Sequence, residues 1–345
     1  MTHPRTGLLD DLLVALRRDS ATPDLEFAAT PTPLTGGFWA QLVSFRLTRA
    51  PKGWDVPLVA RVMPDPATAA KETAFQRATA AQGYPTPRVL TAGDPEPGID
   101  GQAYLVMDLA AGQPMLTGLN GARALTRLPS LARRLPVILA AVLADLHRLD
   151  PAPVLNGLDT AGLPHPTLPA LLAHLDDTAT ALGRDDLAGA AGWLADHPTA
   201  EEGVVLCHGD MHPFNVLVDD DGEVTVLDWS AAMLAPATYD LGFTSLLLAE
   251  PPLVAGGPLR HIVRWAGRAL SNRFLRAYET ARGVSVDRDA LAWHQGLICL
   301  RALVEVAGWV SAETIAGRAG HPWVIAGDAF AARLSTLTGL DVAAQ

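Results

Sequence analysis

The rear of this chain reads as helix except in one place, and that interruption limits the fold more than any other feature. Between 204 and 228 the helical pattern gives way to the short apolar runs VVLC, NVLV and VTVLDW, separated by His208-Gly209-Asp210 and by Asp219-Asp220-Asp221-Gly222. The Asp-Gly pair at 221 and 222 predicts a hairpin, because glycine accepts the positive φ that such turns require. Before the interruption, helical patterns cover 125–149, with breaks expected at Pro129 and Pro136, then 168–182 and 187–195. After it they resume at Tyr239 and continue to the end of the sequence.

The front of the chain has a different period. After a short amphipathic N-terminal helix, alternating strands at 42–49 and 56–63 flank the turn Pro51-Lys52-Gly53. A helix is predicted over 67–82, followed by strands over 88–92 and 102–109, so the order is β-β-α-β-β. Small residues and a proline at 110–114 mark a connector. The fold class is therefore α+β, with a front domain at 1–110 and a mainly helical domain at 111–345. Two domains also accord with 345 residues, since a single core stops growing near ~250 to 300.

Composition narrows the function. Lys and Arg total 26 against 37 for Asp and Glu, a net charge of −11 with no basic face, which argues against nucleic acid as a partner. No apolar run reaches the ~18 residues of a spanning helix, and the nearest, at 135–143, ends at Asp145 and His147, so no membrane role is expected. Asp10 and Asp11 interrupt the first apolar stretch, which reads as a helix rather than a signal peptide. The two cysteines, Cys207 and Cys299, lack metal-ligand spacing and suit a reducing cytoplasm.

The chemistry gathers at the interruption. Asp210 and Asn215 lie on one loop, and the hairpin returns Asp228 beside it, so two carboxylates and a carboxamide converge with only oxygen donors on offer. Oxygen ligands suit Mg²⁺, which is typically held by one or two carboxylates together with substrate phosphates. A nucleotide is implied.

The segment HGDMHPFN followed by LDW resembles the catalytic signature of the aminoglycoside phosphotransferase and choline kinase-like small-molecule kinases, relatives of the eukaryotic protein kinases. The steps of five from Asp210 to Asn215 and of 18 from Asp210 to Asp228 match that group. The resemblance implies a bilobal protein kinase-like fold, with a β-rich nucleotide lobe and a helical lobe carrying the catalytic loop and the acceptor site. It implies transfer of the γ-phosphate of ATP or GTP to a hydroxyl of a small acceptor. Asp210 would be the base, Asn215 and Asp228 the Mg²⁺ ligands, and His208 a residue that orders the loop. Asp240 would hydrogen-bond the loop backbone, although it is also placed to meet the N-terminus of its own helix.

The same resemblance assigns the front domain. Gly36 and Gly37, before the first hairpin strand, would cover the phosphates, although Phe38 and Trp39 stand where the family often has a small polar pair. The family's strand lysine is replaced by Arg61, whose partner would be Glu72, with Lys71 as the rival cation. Met107, Asp108 and Leu109 would contact the base through their backbone. For the acceptor the candidates are Glu305, Trp309 and Asp328, with Glu313, Trp293 and Trp323 nearby in sequence; the tryptophans read equally well as core. Two other readings stand beside this one: a catalytically silent kinase-like nucleotide-binding protein, and a two-metal hydrolase using His208, Asp210, His212 and Asp228.

Overall fold

A computed structural model describes residues 6–34, 40–96, 98–117, 122–200, 203–251 and 257–344. In chain order, α1 (Thr6–Asp19), β1 (Glu26–Phe27), β2 (Thr32–Leu34), β3 (Gln41–Phe45), β4 (Leu47–Thr48) and β5 (Leu58–Met63) lead to α2 (Pro66–Ala81), β6 (Val89–Gly93), β7 (Ala103–Asp108) and β8 (Gln113–Pro114). Four helices follow: α3 (Ala122–Leu146), α4 (Ala152–Thr160), α5 (Leu168–Ala181) and α6 (Asp185–Asp196). The interruption supplies β9 (Val205–Cys207), β10 (Val216–Val218), β11 (Val224–Val226) and β12 (Met233–Ala235). The chain then closes with α7 (Thr238–Ala249), α8 (Gly257–Arg282), α9 (Arg288–Ser311), a 3₁₀ turn at Ile315–Arg318, α10 (Pro322–Ile325) and α11 (Gly327–Thr338). It divides into two compact units that are not contiguous in sequence: Met1–Pro114 with Pro151–His165 and Asn215–Ala231, and Met115–Asp150 with Pro166–Phe214 and Ala232–Gln345.

The first unit is built on an antiparallel sheet in the order β2-β3-β5-β7-β6. Side chains alternate across a strand, so on β5 Leu58, Ala60 and Val62 face a core shared with Leu8, Leu12 and Leu16 of α1. Met63 joins Ala69 of α2, Val89 and Leu105 in a second cluster. Arg61 has the parity of Met63 and therefore stands on the α2 side of the sheet. Helix α2 starts where Pro66 supplies the first turn and the Asp65 side chain accepts the Ala67 N–H. It buries Ala69, Glu72, Thr73, Phe75 and Gln76 on one face.

The stretch predicted as one strand at 42–49 is two: β3 pairs with β2 and β5, whereas β4 pairs with β1. Phe45 and Leu47 both enter the core on either side of exposed Arg46, so the alternation of one strand is kept and only the pairing partner changes. Part of the expected connector is also a strand, since β8 joins β10 and β11 in a small sheet. Gly112, at φ +90°, makes this possible, because a Cβ there would lie 2.6 Å from the Val218 backbone. The turn between β10 and β11 is longer than the two-residue form. Asp219 closes it by accepting the N–H groups of Asp221 and Glu223, and Gly222 sits at φ +88°. Thr86 ties the hairpin into the unit, its hydroxyl donating to Val226 O at 2.9 Å and accepting from Trp229 Nε1 at 2.9 Å.

In the second unit α9 is the central element, in contact with α5, α6, α7, α10 and α11. Its Asp287 cap accepts two first-turn N–H groups. It is the one described helix long and apolar enough to cross a membrane, but 83% of its most apolar window is buried within the fold, as befits a core helix. Helix α3 runs unbroken through Pro129 and Pro136, against the expected breaks. Each proline removes one backbone hydrogen bond, but its fixed φ is helical, and packing of α3 along α8 stabilises the continuous form.

Gly93 lies against the Tyr104 ring, where a Cβ would come within 2.5 Å of it. Tyr104 in turn donates to Asp19 and accepts from Arg18 at the end of α1. Gly93→Ala is expected to lower stability by about 1–3 kcal/mol, the usual cost of overpacking, as read by urea unfolding.

Candidate active site

The candidate residues are spread over both units, and the division falls between Phe214 and Asn215, inside the HGDMHPFN segment.

In the first unit Arg61 reaches two acids. Its Nε lies 3.4 Å from Glu72 Oε2 and its Nη2 donates to Asp228 Oδ1 at 3.1 Å. Arg61 and Glu72 are nearly inaccessible, with side chains 10% and 1% exposed, whereas Asp228 is 31% exposed. Burial pushes Glu72 up to about 7; the Arg61 charge opposes this and the Asp228 charge adds to it. For Asp228, burial also works against the charge, but Arg61 and the hydrogen bonds from Ser230 outweigh it and hold the carboxyl below its ordinary range.

All the hydrogen bonds to Asp228 converge on one oxygen. Oδ1 accepts from Arg61, from Ser230 Oγ at 2.7 Å and from Ser230 N at 3.3 Å, while Oδ2 accepts none among the described residues. Asp228 sits at φ +65°, a left-handed conformation uncommon for a non-glycine residue and frequent at functional sites. Asn215 lies at the same end of the β10–β11 hairpin, its carbonyl accepting the Leu227 N–H at 2.8 Å. An open carboxylate oxygen at the hairpin end that also carries Asn215 fits a hard divalent cation.

Gly36 and Gly37, with Phe38 and Trp39, lie outside the described residues. Met107 and Asp108 end β7 and Leu109 follows it. Asp108 N donates to Arg88 O at 3.1 Å and Leu109 N to Pro57 O at 2.8 Å, so these two N–H groups are engaged within the unit.

In the second unit Asp240 is fully buried. Its carboxylate accepts His208 N at 2.8 Å and Gly209 N at 2.7 Å, so it binds the loop backbone rather than capping its own helix. Behind it, His147 Nε2 lies 3.2 Å from Asp240 Oδ2, and His147 Nδ1 lies 2.7 Å from the Tyr278 hydroxyl. Both ring nitrogens of His147 are thus engaged, one by the Asp240 carboxylate and one by the Tyr278 hydroxyl. His208 is buried and its Nδ1 accepts the Asp210 N–H at 3.3 Å. The Asp210 carboxylate remains partly exposed, with His212 Nε2 3.5 Å from Oδ2.

One stripe of α9 carries Arg301, Glu305 and Trp309 at successive turns. Arg301 Nη1 donates to Gly209 O at 3.0 Å and to the Tyr239 hydroxyl at 3.2 Å, and its guanidinium lies 5.4 Å from the Trp323 ring centre. Trp309 and Trp323 stack nearly parallel at 6.4 Å, with Arg318 4.9 Å from Trp309. Trp293, Trp309 and Trp323 are all buried and thus belong to the core. Burial pushes Glu305 up, opposed by Arg301. Asp328 lines a cavity of about 490 Å³ with Val306, Trp323, Val324 and Gly327, while Glu313 is exposed at φ +55°.

His147, Tyr278, Arg301 and Ser230 escaped the sequence reading. The trace they leave is faint: a histidine and an arginine on otherwise apolar helical faces, in LADLHRL and ICLRALV. Because Glu72 is wholly buried, Arg61→Ala should cost about 3–5 kcal/mol by leaving it unpaired. Adding Glu72→Gln should recover a substantial part of that loss in chemical denaturation.

A family model described as the phosphotransferase enzyme family matches residues 30–294. The aminoglycoside 3′-phosphotransferase of Streptomyces ribosidificus is 32% identical over 117 residues, 30% of this chain and 39% of that protein. The chain thus spans well under half the length of this curated relative. A Ralstonia eutropha protein assigned as an aminoglycoside phosphotransferase superposes with a TM-score of 0.68 at 17% identity, covering 96% of this chain and 98% of that one. A choline/ethanolamine kinase family protein of Mesorhizobium loti gives 0.58 at 18% identity, covering 96% and 94%. At such identities these likenesses show the fold, which is protein kinase-like. With the family match covering most of the sequence, the chain belongs to the phosphotransferase enzyme family.

Proposed function

We propose that this chain transfers the γ-phosphoryl group of ATP or GTP to a hydroxyl of a small acceptor. The observation that carries this reading is Asp228, one oxygen of which is fixed by Arg61 and Ser230 while the other stays open at the hairpin end that also holds Asn215. Asn215 and Asp228 would hold Mg²⁺, which when bound neutralises the charge of the nucleotide phosphates. Gly36 and Gly37 supply backbone donors to the phosphates, and the Arg61–Glu72 pair keeps a fixed cation beside Asp228. The backbone at Met107 to Leu109 borders the base, through groups other than the two engaged N–H donors. Asp210 accepts the proton of the acceptor hydroxyl, so the acceptor is bound on the α9 side, near Glu305, with Asp328 farther along the same unit and Trp309 only backing the region from the core. A cytoplasmic setting supplies both nucleotides.

Solved relatives support the ligands. One is the GDP complex of an aminoglycoside 2′-phosphotransferase, and another is an aminoglycoside phosphotransferase variant in a ternary complex with AMP-PNP and hygromycin B. The hydrolase reading loses ground because His208 is buried with its Nδ1 engaged by the Asp210 N–H.

Assays of nucleotide consumption against a panel of aminoglycosides, macrolides and amino alcohols test the proposal. Asp210→Ala should lower turnover by about 10²- to 10⁴-fold while nucleotide binding persists; unchanged turnover would remove Asp210 from the mechanism. Asp228→Ala should weaken Mg²⁺-dependent nucleotide binding in thermal-shift titrations, and an unaltered Mg²⁺ requirement would count against its role.

A further inference from the structure

A base is useful only if its carboxylate is aimed, and the residue before Asp210 makes aiming difficult. Gly209 adopts φ +74°, and a glycine in that region moves between backbone conformations at little cost. Its N–H is held by Asp240, but this bond fixes the preceding peptide only. The Gly209–Asp210 peptide, which sets the direction of the Asp210 side chain, needs its own restraint. It has one at each polar end: the N–H donates to His208 Nδ1 at 3.3 Å, and the carbonyl accepts from Arg301 Nη1 at 3.0 Å.

We propose that Arg301 is a positioning residue that holds the Gly209–Asp210 peptide in one orientation and so fixes the direction of the catalytic carboxylate. The inference rests on the reading of Asp210 as the base. The hydrogen bond from Arg301 to the loop goes to the peptide carbonyl, while its charge also lies within electrostatic reach of Asp210.

The placement of the guanidinium supports this role. Helix α9 buries mostly apolar residues, with His294 and Gln295 as polar exceptions, and a cation there carries a desolvation cost that a methionine or leucine would avoid. That cost is answered by Gly209 O, the Tyr239 hydroxyl and the face of Trp323, together with the nearby charges of Asp210 and Glu305. Of the three direct contacts, only Gly209 O belongs to the loop. The Tyr239 and Trp323 contacts hold the guanidinium still, which allows a single N–H to set a peptide plane. Tyr239 is adjacent to Asp240, so the two side chains that grip the peptides around Gly209 are braced by one turn of α7.

The test compares Arg301→Met, which keeps length and removes every donor, with Arg301→Lys, which can still donate to Gly209 O. Turnover is measured with the best acceptor from the panel or, where none reacts, as phosphate release from Mg·ATP to water, with Asp210→Ala as reference. Arg301→Met should retain its nucleotide KM within about twofold and lose about 100-fold in kcat, the scale of a misplacement near 1 Å. Arg301→Lys should regain at least about tenfold of that loss. A kcat within about threefold of the unsubstituted chain in Arg301→Met overturns the inference. So does a parallel loss of nucleotide binding and kcat that Lys does not relieve, which is the mark of a merely structural residue. If methionine leaves too little folded protein, Arg301→Met combined with Tyr239→Phe removes both polar partners together and is judged by the same criteria. Absence of any Asp210-dependent turnover in the unsubstituted chain would sink the functional reading and this inference with it; normal turnover with an indifferent Arg301 would sink the inference alone.

Discussion

A carboxylate sealed from water must be answered by donors, and Asp240 is the point at which the second unit meets that demand. Its side chain is fully buried, and it spends its charge on the backbone N–H groups of His208 and Gly209. Hydrogen bonds to a charged acceptor are worth about 1.5–3 kcal/mol each, enough to hold a loop that contains a left-handed glycine. His147 and Tyr278 extend the network to α3 and α8, so three helices share in fixing one turn of chain. The apolar stripes of those helices set the general packing, while this polar cluster sets the course of the loop between β9 and β10.

The first unit solves a related problem with the charges reversed. Arg61 is a cation between two acids, and its forked guanidinium serves both from one position, Nε toward Glu72 and Nη2 toward Asp228. The register of β5 places it there. A shift of one residue would turn Arg61 into the apolar core beneath α1 and put Val62 in its place.

What was legible in the sequence follows from how far apart the interacting residues lie. Asp210, Asn215 and Asp228 sit within one short motif, and the hairpin between them was readable from Asp221-Gly222. The Arg61–Glu72 pair was legible only through the family resemblance, which sets a strand cation against an acid on the following helix. His147 and Arg301 were not legible, since their partners lie 93 and 92 residues away, and a polar residue on an apolar face does not say which distant group it meets. The return of Pro151–His165 and Asn215–Ala231 to the first unit was hidden for the same reason. Local rules also misjudged α3, where two prolines were weighed without the long α8 surface that keeps the helix whole.

The apolarity of α9 also bears on how the chain reaches its fold. Its cover comes partly from α5, α6 and α7, which precede it in synthesis, and partly from α11, which follows. Until the residues of α11 have been made, a helix with the composition of a membrane segment has an uncovered flank on a growing chain. Such surfaces draw nascent chains into aggregates or onto chaperones. The completion of the second unit therefore waits for α11, and a chain stopped before Gly327 would expose its stickiest helix.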